Sequence, residues 1–192
     1  LEIPKPRLEE QNKIIEILST IDITIEKTAT IIEETQQLKK GLMQKLFTEG
    51  IGHTRFKETK IGKIPEKWEV VRFHKCLNKA MYKDPSIMPE EEFTYIDVSA
   101  VSNKLYKITD SKRLLGKDAP GRARKEVKHG DTIYATVRPY LKRIAYISEE
   151  FDKEICSTGY CVLHPNVDFV EPKFVFQLML THRVNQYLKS LQ

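Results

Sequence analysis

No proline interrupts the chain between Pro6 and Pro65, and this stretch sets the first limit on the fold. Within it apolar residues recur at Ile14, Leu18, Ile21, Ile25 and Ile32, and again at Leu38, Leu42 and Leu46. The early steps alternate four, three and four, the spacing of a coiled-coil seam, which turns polar at Thr28 and Thr35. The pattern predicts one helix over 8–48. Glu9 and Glu10 in its first turn and Lys39, Lys40 and Lys45 near its end suit the helix dipole, and Gly50 and Gly52 supply the stop. Gly41 costs about 1 kcal/mol against alanine and marks a close backbone approach, a kink or a tolerated surface position. A helix of roughly 60 Å cannot bury such a stripe against a small domain. It calls for a partner helix, in the same polypeptide or in another copy; the other reading is a long ordinary helix packed on its own domain.

From Ile51 the pattern changes. His53 to Pro65 is a polar approach, and Ile64-Pro65-Glu66-Lys67-Trp68 opens a globular region. Strand-like segments follow at Phe93–Val98, Asp131–Val137, Arg143–Ser148 and Gly159–Leu163, read together as one antiparallel set. Pro139 ends or edges the second of them. Pro172 starts a helix expected to bury Phe174, Leu178 and Leu188. The expected architecture is α+β: a coiled-coil-type helix in a first region, 1–50, then a globular domain, 51–192, with a mainly antiparallel sheet and a C-terminal helix. Leu1 in place of Met and the absence of a stop signal at Gln192 predict a piece of a longer polypeptide.

Charge is unevenly placed. Residues 1–50 hold 7 Lys/Arg against 9 Asp/Glu, whereas 104–143 hold 12 against 4. A basic block inside a folded segment points to a polyanion partner; the plainer reading is a solvated basic face. Lys104, Tyr106, Lys112, Arg113, Arg122, Arg124 and Lys125 run through a stretch weak in strand pattern. Arg138, Tyr140, Lys142 and Arg143 cluster at a strand end. Loop arginines and lysines reach phosphate oxygens, and a bidentate arginine reads guanine. Arg138 has a second reading, as a structural arginine paired with Asp97 or Asp131. Tyr134, Tyr146 and Tyr160 alternate with aliphatics and read as core.

Catalytic signatures are absent from the sequence: no G-x-S-x-G, H-E-x-x-H, phosphate-binding or dinucleotide-binding glycine pattern occurs. No Asn/Asp-Pro-Pro-Tyr/Phe stretch of an amino-methylating site occurs either. Asp97 with Asp110-Ser111-Lys112 has only a faint nuclease flavour. The five histidines share no ligand spacing, and Cys76, Cys156 and Cys161 read as buried small hydrophobes in a reducing cytoplasm, with neither a disulfide nor a metal. No apolar run approaches the roughly 20 residues of a membrane span.

Several runs, in their order, resemble the specificity subunits of Type I restriction-modification enzymes. Ile3-Pro4-Lys5-Pro6-Arg7-Leu8-Glu9-Glu10-Gln11, with Ile14, Ile17-Leu18, Ile21-Asp22 and Ile25-Glu26, resembles the junction between a target recognition domain and a long spacer helix. Leu38 to Thr48 resembles the end of that helix, and Ile61 to Trp68 the start of the next recognition domain. Gly130-Asp131, Thr136-Val137-Arg138-Pro139 and Ser157 to Leu163 resemble its interior. The resemblance implies a non-catalytic subunit with one spacer helix and one recognition domain, the latter reading one half of a bipartite duplex DNA site. It implies modification subunits bringing S-adenosylmethionine, a restriction subunit bringing ATP and magnesium chemistry, and a second spacer helix in cis or from another copy. The competing reading is a coiled-coil scaffold whose globular domain binds protein. If the seam pairs helices, Leu18→Asp with Ile25→Asp abolishes pairing and capture of the modification subunit while the globular domain stays folded. Co-purification and circular dichroism check this.

Overall fold

The computed structural model describes residues 1–190, so the last two residues of the expected 51–192 domain, Leu191 and Gln192, lie outside the described residues. The chain divides into two compact units after Glu66, not after Gly50 as the sequence pattern places it.

The first unit contains helix α1, Leu8–Leu46, and a short hairpin of β1, Phe56–Lys57, and β2, Ile64–Pro65. The hairpin explains the later boundary, since its ladder pairs Phe56 with Pro65 and ties the polar approach to the residues that follow it. At 39 residues α1 is about 58 Å long. It stops slightly before the predicted end, where Phe47 takes over as its cap. None of its residues is buried, and all eight seam positions (Ile14, Leu18, Ile21, Ile25, Ile32, Leu38, Leu42 and Leu46) are exposed. Thr20, Thr24 and Thr28 each donate a hydroxyl hydrogen bond of 2.8 Å to the carbonyl four residues back. Such bonds satisfy the hydroxyls along one face.

The second unit begins with β3, Leu77–Asn78, and β4, Met81–Tyr82, and continues through β5, Glu92–Ile96, β6, Val101–Ser102, and β7, Lys107–Ile108. Then come β8, Lys112–Leu115, β9, Ala123–Glu126, β10, Thr132–Ala135, and β11, Ile144–Tyr146. Strands β12, Ile155–Ser157, and β13, Tyr160–Pro165, lead to helices α2, Pro172–Leu180, and α3, His182–Ser190. The order in the smaller main sheet is β11-β10-β13-β3, and in the larger one β4-β9-β12-β5-β8. The four expected strands therefore do not form one set. The strand at 92–96 belongs to the larger sheet, where it runs parallel to β12, the one parallel pairing among the described strands. Three strands, β7, β8 and β9, occupy the 104–128 stretch that reads as loop, because their pairing partners rather than their own patterning specify them.

Alternation with a period of two distributes the strand residues between cores. Ile133 and Ala135 of β10, Tyr160 and Val162 of β13, Ile96 of β5 and Cys156 of β12 share one cluster. Tyr134 and Leu163 face the other way and join Val175 and Met179 of α2. Phe93 and Tyr95 form a third cluster with Ala123 and Ile155. Burial on both faces explains why Ile133, Tyr134 and Ala135 follow one another in β10 without a charged residue between them.

The C-terminal helix is two helices broken at Thr181. Of the three expected residues Phe174 is 47% exposed and Leu178 partly buried, while Leu188 packs on the same cluster as Val175, Phe176, Met179 and Leu180. Tyr134 and Tyr160 are buried as expected, and Tyr146 is half-buried. Cys76 and Cys156 are buried while Cys161 is only partly so. Burial pushes the Cys156 thiol up to about 12.

Gly116 is required by space. A Cβ there would land on the carbonyl oxygens of Met88 and Pro85, which are backbone and cannot swing aside. Gly116→Ala is expected to destabilise the domain by about 1–3 kcal/mol, the cost of overpacking, read as a lower urea midpoint with an unchanged slope.

Candidate nucleic-acid interface

The β10–β11 connection holds two of the four non-glycine residues with positive φ among the described residues, the others being Tyr106 and Lys153. Strand β10 ends at Ala135, and Thr136 then fixes the departing chain by donating both its amide and its hydroxyl to the Gly159 carbonyl, at 2.9 and 3.0 Å. Arg138 follows with φ +52° and ψ +56°, a single 3-10 turn spans Pro139–Leu141, and Lys142 leaves it with φ +51° and ψ +45°. Both flanking residues are thus left-handed without being glycine, and Arg138 also precedes a proline, which disfavours helical conformations of either hand. Each such residue costs about 1–3 kcal/mol. The turn closes through Leu141 and Lys142 amides donating to the Arg138 and Pro139 carbonyls, both at 2.9 Å. Arg138, Tyr140 and Lys142 all project exposed, Tyr140 by 63%. Among the described residues Arg138 has no ion pair. The carboxylates considered for it are engaged elsewhere: Asp97 accepts from the Tyr95 and Ser99 hydroxyls, and Asp131 accepts from the Lys128 amide and pairs with His164. The structural-arginine reading of Arg138 is therefore set aside. Burial raises the pKa of Asp131, which is 2% exposed, against the lowering effect of His164.

Neighbouring segments are strung to this turn by backbone bonds. The Thr158 amide donates to the Arg122 carbonyl at 2.8 Å, one residue before Gly159. Gly159 itself has no room for a side chain, since a Cβ would stand 2.8 Å from Val98 Cγ2. Arg122 is exposed and unpaired among the described residues. On β8, Lys112 lies opposite Tyr95 and is also exposed, as is Lys104 in the β6–β7 hairpin.

Other basic residues singled out by the sequence are engaged within the domain. Arg124 lies 3.3 Å from Asp84 and donates to the Pro120 and Ala123 carbonyls. The Asp84 carboxyl is held below the usual range, first by the Ser86 hydroxyl and then by the Ser86 amide, with Arg124 adding to both. Lys125 donates to the Tyr160 carbonyl and sits over the Tyr82 ring, 6.0 Å from its centre. Arg113 bonds Glu92 at 2.8 Å, but both side chains are more than half exposed, so that pair contributes little. Tyr106 is half-buried against the Tyr134 cluster. Arg143 directs Nη1 at the carbonyls of Val98, Ser99 and Val101. Sequence reasoning overlooked Thr136 and Gly159 as anchors, although the small-residue run Ser157-Thr158-Gly159 inside a strand pattern signals a close backbone approach. Among the described residues no group of three or more His, Cys, Asp or Glu is placed to hold a metal, and no described helix is long and apolar enough to cross a membrane.

In sequence and in fold the chain matches a fragment of the specificity subunits of Type I restriction enzymes. It is 46% identical to the Type I restriction enzyme MjaVIII specificity subunit of Methanocaldococcus jannaschii over 41% of this chain and 19% of that protein. The HsdS subunit from Thermoanaerobacter tengcongensis is 44% identical and superposes with a TM-score of 0.57, over 58% of this chain and 29% of that one. A solved chain from work on complex assembly and conformational transition of the type I R-M system gives 44% identity and a TM-score of 0.58, over 59% and 29%. The chain spans less than a third of the length of the curated relatives it matches. No family model matches it.

The geometry separates two arginines that stand two residues apart. Arg124→Ala removes a half-buried, charge-assisted set of bonds and should cost about 1.5–3 kcal/mol. Arg122→Ala should stay within about 0.5 kcal/mol, both values read from urea denaturation.

Proposed function

We propose that this chain is a non-catalytic, cytoplasmic DNA-targeting element. Its globular unit reads one half of a bipartite duplex target, and its long helix sets the distance to a second reader. In this reading α1 pairs along Ile14, Leu18, Ile21, Ile25 and Ile32, and then Leu38, Leu42 and Leu46, with a second spacer helix in cis or from another copy. The assembly holds modification subunits, through which a restriction subunit joins. S-adenosylmethionine, ATP and magnesium belong to those partners, and this chain binds none of them.

The observation that carries the reading is the Arg138–Lys142 turn. Two left-handed positions that glycine would fill without strain are filled instead by cations, and the strained turn displays them with Tyr140 between them. Strain of this kind persists where the displayed side chains matter more than backbone comfort. Arg122, Lys112 and Lys104 add unpaired positive charge for phosphate oxygens, while base edges are read by the few side chains that enter a groove. Relatives that are specificity subunits support this over the scaffold reading.

The test is duplex binding across a salt series by the full chain assembled with its modification subunits. Affinity should fall steeply with salt, and Arg138→Ala with Lys142→Ala should weaken binding at least tenfold. The log–log slope should flatten by about 0.9 for each phosphate that is no longer neutralised. Binding of protein partners with no preference for duplex DNA at low salt would favour the scaffold and end this proposal.

A further inference from the structure

The displayed turn is clamped at both ends. On its entry side Thr136 holds the Gly159 carbonyl with two bonds. On its exit side the Arg143 carbonyl accepts from Ala135 at 3.0 Å, which leaves the Arg143 side chain directed across to the 97–101 turn. There Nη1 lies 3.2, 2.8 and 2.7 Å from the carbonyl oxygens of Val98, Ser99 and Val101. That nitrogen carries two protons, so three acceptors share them. Tyr160 closes the same row of carbonyls, its hydroxyl 3.0 Å from the Asp97 oxygen and 3.2 Å from that of Val98. Burial holds the Tyr160 hydroxyl protonated well above its ordinary range, so it stays a donor.

Of the cations in the 138–143 cluster, Arg143 alone is directed inward. Its neighbours Arg138 and Lys142 are exposed, whereas Arg143 is half-buried. A cation bonded to three carbonyls has taken up the role of a helix-end donor and joins two loops that do not share a strand ladder.

We infer that Arg143 is a positioning residue for base recognition: it fixes the Arg138–Lys142 turn against the Asp97–Val101 turn and neutralises no phosphate. The inference rests on the DNA-reading proposal above. It makes a prediction that a phosphate-binding arginine would not share. Removal of a phosphate-binding cation weakens all duplexes alike and flattens the salt slope by about 0.9, whereas removal of a positioning group erodes discrimination and leaves the slope alone. Misplacement of a recognition group by an ångström is enough to forfeit a bidentate hydrogen-bonded pair with a base, since its two bonds are directional.

The experiment uses the full chain assembled with its modification subunits. The probes are a duplex enriched from a random-sequence pool by the wild-type assembly and a mixed-sequence duplex of equal length, each titrated over a salt series. Arg143→Ala should lower the preference for the enriched duplex at least tenfold while its salt slope on the mixed duplex matches wild type. Arg143→Lys should restore most of the preference, because one ammonium nitrogen offers three protons to the same three carbonyls. Should Arg143→Ala not fold, Tyr160→Phe decides, because it keeps the ring and deletes only the hydroxyl that holds the Asp97 and Val98 carbonyls beside Arg143. A loss of preference of threefold or more at unchanged slope supports the inference. An unchanged preference, or a slope flattened by about 0.9 in the Arg143 variants, overturns it. A wild-type assembly that enriches no duplex overturns the DNA-reading proposal itself and this inference with it. Normal enrichment by wild type, with Arg143→Ala discriminating equally well, overturns the inference alone.

Discussion

The globular unit is organised around the alternation of β10. Ile133 and Ala135 look into one cluster, Tyr134 looks into another, and all four strand residues are buried. A strand in that position cannot slip by one residue without turning a tyrosine into the space of an isoleucine, so its register is over-determined. Everything that leaves β10 inherits that certainty. The connection to β11 leaves from Thr136, held by two bonds to the Gly159 carbonyl, and returns at Arg143, whose carbonyl accepts from the Ala135 amide. A left-handed Arg138 is tolerable only on such a base, since strain of that size unravels a turn whose ends are loose.

The same rigidity explains how polar groups near the core are accounted for. Residues 97–100 lie between β5 and β6, outside the regular ladders, and the carbonyls of Asp97, Val98, Ser99 and the first residue of β6, Val101, find donors in Arg143 and Tyr160. The Ala100 carbonyl accepts from the amides of Thr109 and Asp110. Thr132 Oγ1 alone is a buried side-chain atom with no partner among the described residues. These side-chain donors tie the segment after β5 to Arg143, at the end of the β10–β11 connection, and to Tyr160 of β13, far from it in sequence.

Local signals made part of this readable in the sequence. The proline-free heptad run announces α1 because 3.5-residue periodicity is a short-range property. The apolar runs of β10 and β13 announce themselves for the same reason. Strands β8 and β9 do not, since Lys112-Arg113 and Arg124-Lys125 fit a pleat only once Phe93 and Ile155 have been brought alongside. The parallel pairing of β5 with β12 crosses some sixty residues, and nothing local encodes it. The sequence marks the basic clusters but does not sort their members into exposed and internally bonded side chains. Arg124 is drawn inward by Asp84, forty residues earlier, and Arg143 by carbonyls, which leave no mark in a sequence. The helix break at Thr181 was equally silent, as Thr181 is no proline or glycine.

The doubly clamped turn divides the domain into a frame and a display. Tyr140 belongs to none of the three cores, whereas Tyr160, which holds the carbonyls beside Arg143, belongs to the first of them. An exchange at Tyr140 therefore alters the outward chemical face while folding free energy stays within about 0.5 kcal/mol. Such an arrangement is permissive to diversification: new side chains can be tried at the tip one at a time, each presented in the same place by a scaffold that does not register the change.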